Sequence, residues 1–394
     1  MSVNIGRSGN GVRTRRILVW GLILLLSGWY GVQLKQAATA GRLPLYDFIE
    51  YWAAGRLLIQ GENPYSPQGM LAIQRIIGWT DARPIMMWNP PWSLLFVLPF
   101  AVLPYWPGRA LWFLFHLSIT IASAGWLWRY YGGPDNRKWI AWLAAIVFLP
   151  VPTAMYLGQI SPLILAGIAL FLWAVDRQKA VIAGISVLLI AVKPHLAYLF
   201  WLILLFWTLR TRQWKLLLCA AISVILPLLV VLLINPSVLG QYVGGLRSEV
   251  SPVIWQTPTW GVALLMLFPG AGDWLRFSPT ILGLALAVVL WVRWKSAFSW
   301  KAHMIPILLL SVITSSFTWM FDWVVLLPVL TLILVWFQAR PTRKWWLPVS
   351  FLVMQFILVL QPSVARSNFY TIWIPPALAA LFLAGRRAAK VEVL

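Results

Sequence analysis

Long apolar runs separated by short basic clusters set the pattern of this chain. The first run, Ile17 to Leu34, follows Arg13, Arg15 and Arg16. It is long enough to span a bilayer, so it predicts an uncleaved first helix, although Ala38-Thr39-Ala40 has the look of a processing site. Residues 1–16 are then a cytoplasmic tail, and residues 35–90 a long first extracytoplasmic loop. Trp92 to Leu103 is apolar but too short to cross, and it is bracketed by Pro90-Pro91 and Pro104. It reads as a broken or re-entrant helix, tolerated only where protein or a wet cavity covers its backbone. A full span follows, from about Arg109 to Trp128. Basic clusters at 129–138, 177–179, 210–215, 293–301, 340–344 and 386–390 mark successive inside loops. The pattern predicts an all-α polytopic membrane protein of about 12 transmembrane helices. Both termini are cytoplasmic, and residues 1–394 form one membrane-embedded domain.

Inside the first loop, YDFIEYWAAGRLLIQGENPY (Tyr46 to Tyr65) carries three of the chain's ten acidic residues: Asp47, Glu50 and Glu62. At helical spacing Asp47, Glu50, Tyr51, Ala54 and Leu58 share a face, and Gly61, Asn63 and Pro64 stop the helix. Two readings fit this spacing: an interfacial helix with a solvated polar face, or a helix presenting catalytic carboxylates. A second amphipathic piece spans about Met70 to Gly78.

Composition agrees with the membrane reading. Of 394 residues, 61% are hydrophobic and 10% charged, with a mean hydropathy of +0.80, against about 25% charge in a soluble domain. The net charge of +21 could point to nucleic acid. However, the basic residues sit in topogenic clusters, and no nucleic-acid module is present. The 28 Trp fit interfacial belts. Inside segments hold 21 of the 31 basic residues but only 3 of the 10 acidic ones. The acidic bias on the far side emerges without having been used to draw the topology. The lone Cys219 forms no intrachain disulfide and reads as a buried small hydrophobe.

This topology gathers polar residues on the outer side: Asp47, Glu50, Asn89, Gln159, Lys193, His195, Arg247, Asp322 and Arg366 among them. A charge at membrane depth is costly and usually functional. On the residues alone, Lys193 is either a working cation or a snorkelling lysine. His195 is either functional or a satisfied interfacial histidine, and Asp322 functional or an interhelical ion pair. Gln159 is either a substrate contact or a helix-end cap. No Walker A loop, dinucleotide-binding loop, HExxH or GxSxG is present. His116, His195 and His303 lack metal spacing. No cofactor is expected, and a donor dissolved in the membrane fits better than a soluble nucleotide sugar.

Asp47 with Tyr51, Gly61, Pro64 and Tyr65, then Asn89-Pro90-Pro91 with Pro99 and Leu103-Pro104, then Gly158-Gln159, then Gly184 to Lys193-Pro194, together resemble glycosyltransferase family 87. The likeness covers residues 44–200 best; beyond that it rests on hydropathy and on Asp322 near aromatics. It implies a GT-C fold and a polyprenyl-phosphate-mannose-dependent, mannosyltransferase-like enzyme of the plasma (inner) membrane. The active site would face the extracytoplasmic side, and the acceptor would be a lipid or glycan. It implies Asp47 as general base, which agrees with the need of an inverting transfer for a carboxylate to take the acceptor proton. Lys193, His195 and Arg247 would meet the charge of the leaving phosphate. Glu50 would hold sugar hydroxyls or tune Asp47, and Tyr51, Tyr65, Asn89, Gln159 and Asp322 would contact substrate. The competing class is a transporter or flippase of lipid-linked sugar. It would call for mid-membrane charges and inverted repeats, and no clear repeat is visible.

Overall fold

The computed structural model describes residues 47–247, 255–339, 344–364 and 367–390. The first span, the cytoplasmic tail, Glu249 and Arg366 lie outside these. All regular secondary structure among the described residues is helical. Two short helices open it, α1 (Phe48–Ile59) and α2 (Pro67–Ile76), then α3 (Leu94–Ala101) and α4 (Tyr105–Tyr130). The middle of the chain forms α5 (Trp139–Val147), α6 (Pro150–Leu157), α7 (Pro162–Asp176), α8 (Ala180–Ile190), α9 (Tyr198–Thr211) and α10 (Trp214–Ile234). Next come α11 (Val238–Leu246), α12 (Trp260–Leu267), α13 (Ser278–Trp294) and α14 (Trp300–Thr314). The described chain closes with α15 (Leu327–Ala339), α16 (Trp346–Val364) and α17 (Ile374–Lys390).

Among the described residues, five helical stretches are long and apolar enough to cross a membrane: Tyr105–Tyr130, Trp214–Ile234, Asp273–Trp294, Met320–Ala339 and Asn368–Ala389. The α5–α6 pair makes a sixth if it is one span bent by 62°. The chain turns there at Phe148, whose ψ of +99° leaves the helix, and Pro150 opens α6 where a missing N–H costs nothing. The described residues hold five further apolar helices of 10–17 residues, Pro91–Ala101 included. The result is a multi-pass membrane protein in which only part of the twelve expected crossings takes the form of long continuous helices. The stretch expected to break does so: Pro91–Ser93 is a 3₁₀ turn, and α3 has 8 residues, a rise of about 12 Å.

The helix around Asp47 departs from the interfacial expectation. α1 is buried on nearly every side, from Phe48 to Ala54 and again at Gly55, Leu57 and Leu58. Trp52 Nε1 and Arg56 both donate to Leu103 O, at 2.9 and 3.0 Å, and so tie α1 to the end of the broken helix. A β-carbon on Gly55 would come within 2.5 Å of Ala101 Cβ, so the two helices meet at backbone distance. α1 ends as the sequence predicts, with Gly61 at φ +73°. The second loop helix also forms, capped by Ser66, whose hydroxyl accepts from Gly69 N. From it the fully buried Gln74 reaches irregular chain, donating to Ile85 O at 2.7 Å and accepting from Ile85 N at 3.0 Å. One side-chain amide thereby supplies the backbone partners that a helix would otherwise have provided.

Three helices pack through small residues. Gly167 on α7 faces Ser186 and Ile190 of α8, and Gly184 on α8 faces Cys219 and Ala220 of α10. Cys219 therefore acts as a small packing residue, without a disulfide. A side chain at position 184 would start 2.4 Å from Cys219 Cβ and 2.8 Å from Ala220 N. Gly184→Leu should destabilise the protein by about 1–3 kcal/mol. The measurement is thermal unfolding in detergent, and an unchanged midpoint would mean that α8 and α10 are not held this closely.

Candidate active site

The site is assembled where helices stop. α6 ends at Gly158, whose φ of +80° suits glycine, and a β-carbon there would lie 2.7 Å from Phe48 Cβ. Trp112 Nε1 donates to Gly158 O at 2.8 Å, while the Arg109 guanidinium donates to Met155 O and Tyr156 O. A cation thus sits on carbonyls at the C-terminal end of α6, where the helix dipole favours it. These contacts aim the next residue, Gln159, into the site.

Gln159 is buried and bridges two charges. Its Nε2 donates to Asp47 Oδ2 at 2.6 Å, and its Oε1 accepts from Lys193 Nζ at 2.6 Å and from Tyr51 OH at 3.0 Å. It therefore orients the base candidate rather than capping a helix. Lys193 Nζ also donates to Asp322 Oδ1 at 2.8 Å. Asp322 accepts from Ser161 Oγ at 2.6 Å and, through its second oxygen, from Trp319 N at 3.0 Å. The ion-pair and functional readings of Asp322 and Lys193 thus converge on one cluster, and Lys193 does not snorkel away. Asp47 occupies the N-cap position of α1 yet makes no capping hydrogen bond, which leaves its carboxylate to Gln159.

Lys193 follows α8 in a bend outside helical geometry, and Pro194 opens a 3₁₀ turn after it. The broken segment grips this turn. Asn89 Nδ2 donates to Val192 O at 2.8 Å, Trp92 Nε1 to Ala191 O at 2.9 Å and Ser93 Oγ to Val192 O at 3.4 Å.

These groups line a cavity of about 920 Å³. Asp47, Glu50, Asn89, Gln159, Lys193, His195 and Asp322 all reach its wall. Three residues expected to contact substrate do not. Tyr51 is fully buried behind Gln159, stacked on Trp112. Tyr65 is buried and spends its hydroxyl on Asn89 O at 3.0 Å. Arg247 is exposed and lies outside the lining, because α11 ends just before it and turns Tyr242 and Leu246 inward instead. Among the described residues of the wall, Lys193 is the one lysine or arginine. Arg109 and the aromatic lining residues Trp88, Trp255, Trp319 and Phe321 carried no individual signal in the sequence. Only the aromatic neighbours of Asp322 hinted at them.

Burial raises the pKa of Asp47 above the ordinary carboxylate value, opposed by the Gln159 hydrogen bond and by the charges of Lys193 and Arg109. Glu50 is raised well above its ordinary value, first by burial and then by the charge of Asp47. The two carboxylates thus differ in setting: Asp47 accepts a hydrogen bond from the Gln159 amide, and Glu50 lies under the charge of Asp47 in addition to its burial. Among the described residues, no group of three His, Cys, Asp or Glu is placed to hold a metal ion.

Buried carboxylates, an amide and a lysine thus converge on one cavity where helices of a membrane protein end. The model of glycosyltransferase family 87 matches residues 88–316, more than half of the chain, and the protein belongs to that family. It is a membrane glycosyltransferase. The match extends well past residue 200, further than the sequence motifs reach, and it begins after Asp47. No curated protein and no solved structure matches the chain.

Gly158→Ala should cost about 1–2 kcal/mol for the left-handed backbone alone, with the contact to Phe48 in addition. Thermal unfolding in detergent reads the loss, and a variant as stable as the parent would show that the turn carrying Gln159 relaxes freely.

Proposed function

We propose that the protein moves one sugar, mannose or another hexose or pentose, from a polyprenyl-phosphate donor to a hydroxyl of a lipid or glycan acceptor. Transfer inverts the anomeric centre and takes place on the extracytoplasmic side of the plasma membrane. The observation that carries this reading is the link from Asp47 through the Gln159 amide to Lys193, within one cavity. A base and a cation are set apart by one side-chain amide, with room between helix ends for a reacting sugar.

Asp47 accepts the acceptor hydroxyl proton as that oxygen attacks the anomeric carbon. The bond from that carbon to the phosphate oxygen breaks, and the electron pair leaves with the polyprenyl phosphate. Lys193 stands by the growing negative charge, its ammonium oriented in advance by Asp322 and Gln159. Glu50, on the same wall, hydrogen-bonds a sugar hydroxyl. His195 lines the same cavity and can add a contact to the phosphate. Asn89, its amide committed to Val192 O, shapes the wall and fixes the Lys193 turn.

In membrane vesicles supplied with radiolabelled polyprenyl-phosphate sugars, Asp47→Asn should lower transfer by roughly 10²- to 10⁴-fold, the usual worth of a positioned base. Undiminished transfer removes Asp47 from the chemistry, and movement of intact lipid-linked sugar without bond cleavage marks a transporter. A second expectation concerns pH. Asp47 works ionised, so kcat/KM should rise with pH through a value above that of an ordinary carboxylate and fall away below it. The Gln159 hydrogen bond favours the ionised form. Gln159→Ala should therefore move the acid limb to higher pH, and a limb that stays in place would uncouple Gln159 from the base.

A further inference from the structure

Lys193 has two claims on it: the carboxylate of Asp322 and, in the transfer reading above, the phosphate of the donor. A lysine ammonium carries three N–H bonds. One goes to Gln159 Oε1 at 2.6 Å and one to Asp322 Oδ1 at 2.8 Å, which leaves one for a ligand. The Lys193 and Asp322 side chains are 12% and 3% exposed, so water and salt screen the pair little. Yet Asp322 does not depend on the lysine alone. Its Oδ1 also accepts from Ser161 Oγ at 2.6 Å, and its Oδ2 from Trp319 N at 3.0 Å. Ser161 is fully buried and stands at the N-cap of α7 without making a capping hydrogen bond, so its hydroxyl serves Asp322 instead. A carboxylate with two donors besides the lysine can give up the ammonium without being left bare in the interior. Lys193, for its part, sits in a bend and carries its charge on a flexible stem.

The reaction changes the charge that meets this pair. The donor is a phosphodiester with a single negative charge. The leaving polyprenyl phosphate is a monoester, with about −1.5 to −2 charge at pH 7. A lone cation would hold the product harder than the substrate, and turnover would stall on its own product. A carboxylate bonded to that cation acts in the opposite sense, because its repulsion also grows with the charge on the phosphate. Among the described residues of the wall, no second lysine or arginine offsets it, and of the three carboxylates there Asp322 is the one bonded to Lys193.

We infer that Asp322 is a built-in competitor for Lys193 that drives release of the polyprenyl phosphate: it orients the ammonium while the site is empty and takes it back from the doubly charged product. This rests on the transfer reading above and adds to it a device for letting the product go. Asp322 acts through Lys193, as a positioning residue, and Ser161 sets how strongly it pulls.

The test is equilibrium binding to the full chain in lipid nanodiscs, with two labelled prenyl probes of equal chain length, the phosphate monoester and its methyl phosphodiester. Neither needs an acceptor or a transferable sugar. Asp322→Asn should bind the monoester about tenfold tighter and the diester within about threefold of the parent. Ser161→Ala, which leaves Asp322 Oδ1 to Lys193 alone, should bind the monoester about threefold weaker. General damage to the site would weaken both variants, so the opposite signs report the competition. Monoester binding that is unchanged or weaker in a monodisperse Asp322→Asn overturns the inference, and so does equal tightening of both probes. Where Asp322→Asn does not fold, Ser161→Ala decides: unchanged or tighter monoester binding refutes the competition. Lys193→Gln separates the two readings. Monoester binding indifferent to that change takes the phosphate away from Lys193 and removes the transfer geometry together with the release role. Binding lost in Lys193→Gln but not tightened in Asp322→Asn leaves the transfer reading standing and overturns the release role alone.

Discussion

Gln159 carries an anion on its amide nitrogen and a cation on its carbonyl oxygen, and separate stretches of chain meet through it. An amide suits this position because it is donor and acceptor at once and stays uncharged. A second carboxylate there would repel Asp47, and a second cation would repel Lys193. Its orientation is dictated rather than chosen, since only one rotamer sense matches both charges and the Tyr51 hydroxyl. The Gly158 turn, the Arg109 contacts and the Trp112 indole all serve to place this one side chain.

The bilayer sets the second constraint. Backbone at membrane depth has no water to bond, so each break in a helix needs protein partners. The site consists largely of such breaks, and each has its repair: Gln74 for the irregular segment near Ile85, Asn89, Ser93 and Trp92 for the end of α8, Arg56 and Trp52 for Leu103. Interrupted helices thus do two things together. They open a cavity between their ends, and they aim polar side chains into it without exposing the main chain to lipid.

The carboxylates follow from the same low-dielectric setting. Burial pushes both Asp47 and Glu50 upward and the Lys193 charge opposes this at both; of the two, Asp47 accepts from the Gln159 amide. Two acids three residues apart therefore sit in different settings, one on an amide donor and the other beside a second carboxylate. With a single lysine among the described residues of the wall, and that lysine shared with Asp322, positive charge is used sparingly and its position is specified tightly.

Hydropathy and basic clusters were enough to read a polytopic helical protein from the chain, because in a membrane each span must carry its own apolar length and each inside loop its own charge. The break at Pro90-Pro91, the end of α1 at Gly61 and the candidacy of Asp47, Gln159, Lys193 and Asp322, which meet in one hydrogen-bonded cluster, were legible for the same reason: prolines, a left-handed glycine and scarce polar residues in apolar surroundings are local signals. What only the tertiary structure decided was convergence. Tyr51 and Tyr65 stand in the same motif as Asp47 but turn away from the cavity, Arg247 lies outside it, and Trp255 joins a wall with Trp88 and Trp319 from distant parts of the chain. Side-chain direction at a helix end depends on which neighbour supplies the missing hydrogen bond, and that neighbour comes from another helix, whose arrival no local pattern encodes.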